Sequence, residues 1–331
     1  MKTAVLEAPR RFELVDADVP AIAPDEVLVR VAACGVCTSE LDMWEGRTER
    51  EFPILPGHEV SGIVAEVGAE VGAPRPGDRV AVWVTERGFS EYVAVKAAYC
   101  LPAGDVPLEL ALAEPLACAV NAVDLAGIRL GDDVLVVGAG FMGSLVLRLA
   151  ALRGPRRLIA ADTLPQALER ARRSGATHTV DVRRQSLADA VRSLTEGVPA
   201  GTHGDVDPAE ELGADVTFEV TGAQAPLLEV GDATRMSGTL VIVGYHQGGT
   251  REVPLASWNW KALDVRNAHF RRVATIMAGM RAGMRLLAEG RIRIDDLVTH
   301  RFRLDDVADA FAVAHERPDG FVKSTVIVDG G

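Results

Sequence analysis

Cys34 and Cys37 stand as a C-x-x-C pair within VAACGVCTSELDMWEG, residues 31–46. Such a pair serves as a redox dithiol, as half of a structural zinc site, or as the surround of one reactive sulfur. A structural zinc site needs a second C-x-x-C or a histidine pair, and the other two cysteines, Cys100 and Cys118, are isolated. A thioredoxin-like pair opens a helix after a strand, whereas CGVC reads as a strand passing into a loop. A third reading gains from this: one sulfur shares a metal with ligands from elsewhere. ILPGHEVSG presents His58 and Glu59 at the start of a strand, 21 residues beyond Cys37. LALAEPLACAV puts Glu114 in an otherwise apolar helix, where an unpaired carboxylate is costly. Cys, His and carboxylate donors with one open position describe a catalytic zinc, not a structural one.

The second chemistry is phosphate binding. LVVGAGFMGSLVLRLA sets Gly138, Gly140 and Gly143 in G-x-G-x-x-G spacing, after a strand and before a helix. The first glycine permits the tight turn, the second lets a pyrophosphate approach the backbone, and the third allows close helix–strand packing. Free N–H groups at the helix start, around Phe141 and Met142, face the phosphates. Asp162 closes the next strand, RLIAAD, 19 residues past the third glycine. A carboxylate there accepts from the adenosine ribose hydroxyls and repels a 2′-phosphate, which predicts NAD rather than NADP. Arg170, Arg172 and Arg173 are either phosphate ligands or solvated helix-face arginines.

Two kinds of scaffold must position these groups. Residues 1 to about 100 hold short β-branched segments with close turns, EVLVRVAACGV, VSGIVAEVG, DRVAVWV and SEYVAVK, which predict a β-rich, barrel-like unit. MKTAVLEAPRRFEL reads as strand, turn and strand, not as a signal peptide. LELALAEPLACAVNAVDLAGI has helical spacing, with Gly127 suited to its end. From Asp133 strands and helices alternate, which implies a parallel, doubly wound sheet over residues 120–272. Residues 273–331, two helices and the strand KSTVIVDGG, return to complete the domain begun by residues 1–119. Thr195–Gly213, with five acidic residues and no Lys or Arg, reads as a surface insertion or, less simply, a lid or partner loop.

Composition narrows the partners. Asp plus Glu number 47 against 35 for Lys plus Arg, a formal charge of −12, which argues against a nucleic acid or an anionic membrane. No apolar run reaches the roughly 18 residues of a membrane span. Four cysteines in 331 residues fit a reducing, cytoplasmic setting better than a disulfide framework.

Taken in order, these segments resemble the zinc-dependent medium-chain dehydrogenase/reductases, the alcohol and sorbitol dehydrogenase family, over nearly the whole chain. CGVCTSELD resembles the first zinc-ligand motif, PGHEVSGIVAEVG the second, and AEPLACAV the third-ligand region of the polyol branch. GDRVAV, GFSEYVAV, VVGAGFMG and VTHRFRLDDVADAF follow the family's order. The resemblance implies a GroES-like catalytic domain plus a Rossmann domain, a catalytic zinc and NAD. It makes Cys37 and His58 zinc ligands, with Glu59, Glu114 or both completing the shell and Glu59 also among the catalytic residues. Cys34 falls where the family binds no metal. Glu40 takes the place of the Asp that orients the ligand histidine. Most zinc members carry a four-cysteine lobe between DRVAVWV and GFSEYV; here only TERG connects them, so one zinc and no structural zinc is expected.

The implied reaction is hydride transfer from a secondary alcohol to nicotinamide, the zinc lowering the pKa of the alcohol. Ser39 matches the hydroxyl that starts the family's proton relay. Thr38 is the fallback, and Asp42 either extends the relay or caps a surface loop. Thr221 and Gly222 end a strand near the nicotinamide, and His246 is a candidate to approach it or the substrate. Lys323 is read as a partner of the pyrophosphate or as solvated, and Trp44 and Trp83 as cleft or core. Glu114 and the EP dipeptide resemble enzymes of polyols, sugars, cyclitols and amino alcohols. A homodimer or homotetramer is expected, with an edge formed from YHQGGTREVPLASWNWKALDVRNAH, residues 245–269. Two alternatives stand beside this reading: a zinc-free quinone or enoyl reductase of the superfamily, and a non-catalytic NAD-binding protein.

Overall fold

The structure, a computed structural model, describes residues 1–195, 211–246 and 249–328. Residues 196–210 of the acidic insertion lie outside the described residues, and with them its reading as a surface segment or lid. The chain divides into two compact units: Met1–Ala117 with Arg272–Gly331, and Cys118–Arg271.

The first unit opens with the hairpin β1 (Lys2–Ala8) and β2 (Arg11–Asp16). β3 (Glu26–Gly35) follows and is buried at most positions, as its Val- and Ala-rich sequence requires of a strand covered on both faces. A short helix, α1 (Thr38–Trp44), separates it from β4 (Glu59–Val67), β5 (Arg79–Trp83), β6 (Tyr92–Lys96) and β7 (Cys100–Pro102). β3 pairs antiparallel with both β4 and β6, and β5 lies between β4 and β7. α2 (Ala113–Ala126) then leads out of the unit, and Gly127 ends it with φ +65.

The second unit alternates strand and helix: β8 (Asp133–Val137), α3 (Phe141–Ala151), β9 (Arg157–Asp162), α4 (Pro165–Arg173), β10 (His178–Asp181) and α5 (Leu187–Leu194). It continues with β11 (Ala214–Glu219), α6 (Gln224–Ala233), β12 (Thr234–Ile242), α7 (Leu255–Trp260) and β13 (Asp264–Asn267). The six strands are parallel in the order β10-β9-β8-β11-β12-β13, a doubly wound Rossmann sheet whose order reverses at β8. All five residues of β8 are buried, which explains the apolar run VLVV that follows Asp133. β12 follows α6 without a loop: Thr234 already begins the strand, pairs with Ala214, and bonds Thr217 Oγ1 through its hydroxyl.

The chain finally returns through α8 (Val273–Ala288), β14 (His300–Arg303), α9 (Val307–Glu316) and β15 (Ser324–Ile327). β15 pairs antiparallel with β3 and parallel with β14, so the last strand extends the sheet built from the first residues. Phe311 of α9 fills the core of this unit, with ring centroids 4.9 Å from Phe12 and 5.5 Å from Phe89. Trp44 packs beside it and is core, not cleft. Among the described residues, no helix is long and apolar enough to cross a membrane.

Candidate active site

The first unit gathers sulfur, imidazole and carboxyl at the start of α1 and the start of β4. β3 ends at Gly35, which pairs with Glu59 on one side and Thr325 on the other. Gly35 is required there: a Cβ would fall 2.1 Å from Glu59 Oε2. Cys37 caps α1, and Ser39 Oγ donates to Cys37 Sγ at 3.2 Å. One donor atom each from Cys37, His58 and Glu59 lie within 4.8 Å of one another. Glu114, in the first turn of α2, is not one of that group.

Two buried groups fix this arrangement. The Glu40 carboxyl accepts from the backbone N–H of Gly57 at 2.6 Å and of Cys37 at 3.2 Å, and faces His58 Nδ1 at 3.0 Å. It therefore ties the two donor-bearing segments together and leaves His58 Nε2 for another partner. Burial opposes ionisation of Glu40, but His58 and the two N–H donors more than offset it and hold the carboxyl below its ordinary range. Burial likewise opposes charge on His58, and Glu40 and Cys37 outweigh it, raising the ring well above the usual imidazole value.

Lys323 corrects the sequence reading. It is neither solvated nor free for a pyrophosphate: it is 5% exposed, and its Nζ donates to Glu59 Oε1 at 2.7 Å and Val36 O at 2.8 Å. Burial works against its charge, yet Glu59 and then Cys37 raise its pKa overall. Glu59 Oε1 is thus satisfied, while Oε2 is buried with no hydrogen-bond partner among the described residues. A thiolate, an imidazole nitrogen and a carboxylate oxygen that lacks a donor are a fitting donor set for zinc with one position left open.

The neighbouring residues have plainer roles. Cys34 is buried within β3, and burial pushes its thiol well above the ordinary value, as a packed, inert sulfur requires. Thr38 is exposed at the first position of α1. Asp42 forms an ion pair with Arg47. Trp83 pairs in register with Glu59 and packs edge-on against Tyr99 at 5.0 Å.

The second unit carries the glycine turn. Gly138 has φ +97, and its backbone N–H bonds Ala161 O. A Cβ on Gly143 would lie 1.8 Å from Gly138 O, so α3 can rest on the turn only without a side chain there. A Cβ on Gly140 would meet nothing within 4 Å, which leaves open space in front of the N-terminus of α3, where Phe141 and Met142 begin the helix. Asp162 reaches this turn: Oδ2 accepts from Ala139 N at 2.8 Å and Oδ1 from Leu164 N at 2.9 Å. Arg170 is buried and donates to Ala139 O, so it braces the turn instead of being a solvated helix-face residue.

Glu219 was not anticipated. It ends β11, is fully buried, accepts from the backbone N–H groups of Thr221 and Gly222 and from the Thr221 hydroxyl, and lies 2.6 Å from His246 Nε2. The signal was an acid at the end of the strand ADVTFE, ahead of VTG.

Comparison with known proteins agrees with this architecture. Residues 23–105 match the alcohol dehydrogenase GroES-like domain and residues 142–289 the zinc-binding dehydrogenase domain. Gallus gallus sorbitol dehydrogenase is 30% identical, over 91% of this chain and 89% of that one. D-arabinitol dehydrogenase 1 of Uromyces fabae is 29% identical, over 94% and 93%. A Sinorhizobium meliloti structure, described as a zinc-binding dehydrogenase bound to NADP, superposes with a TM-score of 0.81 at 28% identity, covering 99% of both chains. The chain belongs to the zinc-binding, GroES-like alcohol dehydrogenases of the medium-chain family, and is an oxidoreductase of the alcohol and polyol dehydrogenase type.

Proposed function

We propose that this chain is a zinc-dependent, NAD-linked dehydrogenase that interconverts a secondary alcohol and its ketone, on a polyol, sugar, cyclitol or amino alcohol. The observation that carries the metal assignment is the Glu59 carboxyl, which has a buried oxygen, Oε2, with no donor among the described residues and a ligand atom within 4.8 Å of those of Cys37 and His58. Leaving such an oxygen unsatisfied costs on the order of 1–3 kcal/mol, which a bound cation would remove. Cys37, His58 and Glu59 would hold one catalytic zinc, with Glu114 the other candidate for the third position and no structural zinc. Bound there, zinc supplies Lewis acidity that lowers the pKa of the substrate alcohol, and NAD accepts the hydride. Glu40 orients His58 through Nδ1, Lys323 holds Glu59 by its other oxygen, and Ser39 takes the substrate proton toward solvent, with Thr38 the alternative carrier.

Gly138, Gly140, Phe141, Met142 and Gly143 would take the pyrophosphate, Asp162 the adenosine ribose, and Thr221 and Gly222 the nicotinamide side. Asp162 favours NAD, since a 2′-phosphate would meet its carboxylate. The related sorbitol and D-arabinitol dehydrogenases support a polyhydroxylated substrate. A homodimer or homotetramer in the cytoplasm completes the reading.

The test is direct. Purified protein should contain one zinc per chain and reduce NAD with members of a panel of polyols, cyclitols, amino alcohols and simple secondary alcohols. Cys37→Ala should lose both zinc and turnover while NADH binding, followed by fluorescence, is retained. Full activity in the variant would defeat the metal assignment.

A further inference from the structure

We propose that His246, oriented by Glu219, is a positioning residue whose Nδ1 accepts a hydrogen bond from the carboxamide amino group of the nicotinamide. This rests on the NAD-linked reading above, and adds to it the group that fixes the rotation of the reacting ring.

Three observations lead there. First, the pair is buried: Glu219 is fully enclosed, the His246 side chain is 12% exposed, and Oε2 and Nε2 are 2.6 Å apart. Among the described residues, every partner of the Glu219 carboxyl other than the ring is an N–H or O–H donor: Thr221 N, Thr221 Oγ1 and Gly222 N, all on Oε1. The carboxyl therefore acts as an acceptor throughout, and the ring nitrogen facing it, Nε2, carries the hydrogen. In the neutral imidazole Nδ1 is then left as an acceptor. Second, Nδ1 is buried and has no hydrogen-bond partner among the described residues. Most buried polar groups in proteins are paired, so an unmet acceptor beside the cofactor turn fits a donor supplied by the ligand.

Third, the position suits that donor. The C-terminal ends of β8, β11 and β12 meet around this pair. Glu219 is in register with Val137 of β8 and Ile242 of β12, and a Cβ on Gly138 would touch Thr221 Cγ2 at 2.8 Å. A dinucleotide lies across the point where a doubly wound sheet reverses its strand order. The glycine turn after β8 takes the pyrophosphate and Asp162 at the end of β9 takes the adenosine ribose, so the nicotinamide half must extend the other way, over β11 and β12. On that half the carboxamide is the donor at the ring itself, beside the carbon that receives hydride.

The experiment compares NADH with reduced 3-acetylpyridine adenine dinucleotide, in which a methyl ketone replaces the carboxamide and everything else is kept. Binding is measured by calorimetry, independently of turnover. The wild type should bind NADH about 3- to 10-fold more tightly than the analogue, the range of one neutral hydrogen bond. His246→Leu should weaken NADH by that factor and the analogue by less than about twofold. A second variant tests the orientation. In Glu219→Gln the side-chain oxygen stays with the three donors at Oε1, so the amide nitrogen faces Nε2 and moves the ring hydrogen to Nδ1. Its discrimination between the two dinucleotides should vanish while circular dichroism stays native. Equal weakening of both ligands in His246→Leu, or no weakening, overturns the inference and leaves the dehydrogenase reading standing. If His246→Leu does not fold, retained discrimination in Glu219→Gln overturns it in the same way. A wild type that binds neither dinucleotide removes the NAD reading itself.

Discussion

At the metal-ligand candidates, a single carboxyl has two distinct oxygens. Glu59 Oε1 is held by Lys323 at 2.7 Å, and Oε2 is buried with no donor among the described residues. The lysine thus aims the second oxygen as well as balancing charge, and its removal strands a buried carboxylate. Lys323→Met should cost about 3–5 kcal/mol of unfolding free energy in metal-free protein, and Glu59→Gln combined with it should recover most of that loss. Urea denaturation of the two variants checks this; a single-variant cost below about 1 kcal/mol would mean the pair carries little. The pH dependence has a definite sign. Lys323 has a folded pKa raised above 10.5, so its contribution is complete below 10.5 and is lost only as pH rises through the higher folded value. The difference between wild type and variant should therefore be flat through neutrality and shrink only in strong alkali. Sequence could not supply this contact, because 264 residues separate the partners. A lone lysine opening the apolar strand STVI was the sole trace of it. Glu40 was legible because it lies three residues past Cys37 on the same helix.

Among the elements, the turn between β8 and α3 separates glycines needed for folding from a glycine needed for ligand. Gly143→Ala places a methyl 1.8 Å from Gly138 O, so α3 must lift from the turn. Overpacking of this kind costs roughly 1–3 kcal/mol, and the N–H groups proposed to face the pyrophosphate move with the helix. Gly140→Ala meets no protein atom within 4 Å and has φ −69, which any residue adopts. It should melt like the wild type yet lose at least about tenfold in NADH affinity, as the methyl occupies the space of the approaching phosphate. Thermal melting paired with NADH fluorescence separates the cases; a Gly140→Ala variant that binds NADH normally would place the pyrophosphate elsewhere. Most of this element was readable in advance, since spacing, strand, helix and terminal acid are all local. The start of β12 was not: Thr234 extends because Ala214 lies beside it, a pairing across 20 residues that local propensity cannot see.

For the molecule as a whole, the Rossmann sheet ends on an open strand. β13 is the last in the order, and Val265 within it is 44% exposed. The preceding helix and its approach expose Leu255 at 65% and Trp260 at 61%. A sheet edge with unpaired backbone groups and nearby large apolar side chains invites pairing with another chain, and free edges of monomers are ordinarily blunted by charge or proline. Lysine and proline are absent from DVRN, and its charges, Asp264 and Arg266, neutralise each other in an ion pair. The expected assembly is therefore a symmetric one in which two copies join along this edge. Trp260→Glu with Val265→Lys should sediment as a smaller species than the wild type in sedimentation velocity. NADH affinity should be retained, since neither residue belongs to the glycine turn or to the Asp162 and His246 contacts. Unchanged sedimentation would move the interface to another face. A loss of NADH binding together with dissociation would show instead that the dinucleotide site depends on the assembly.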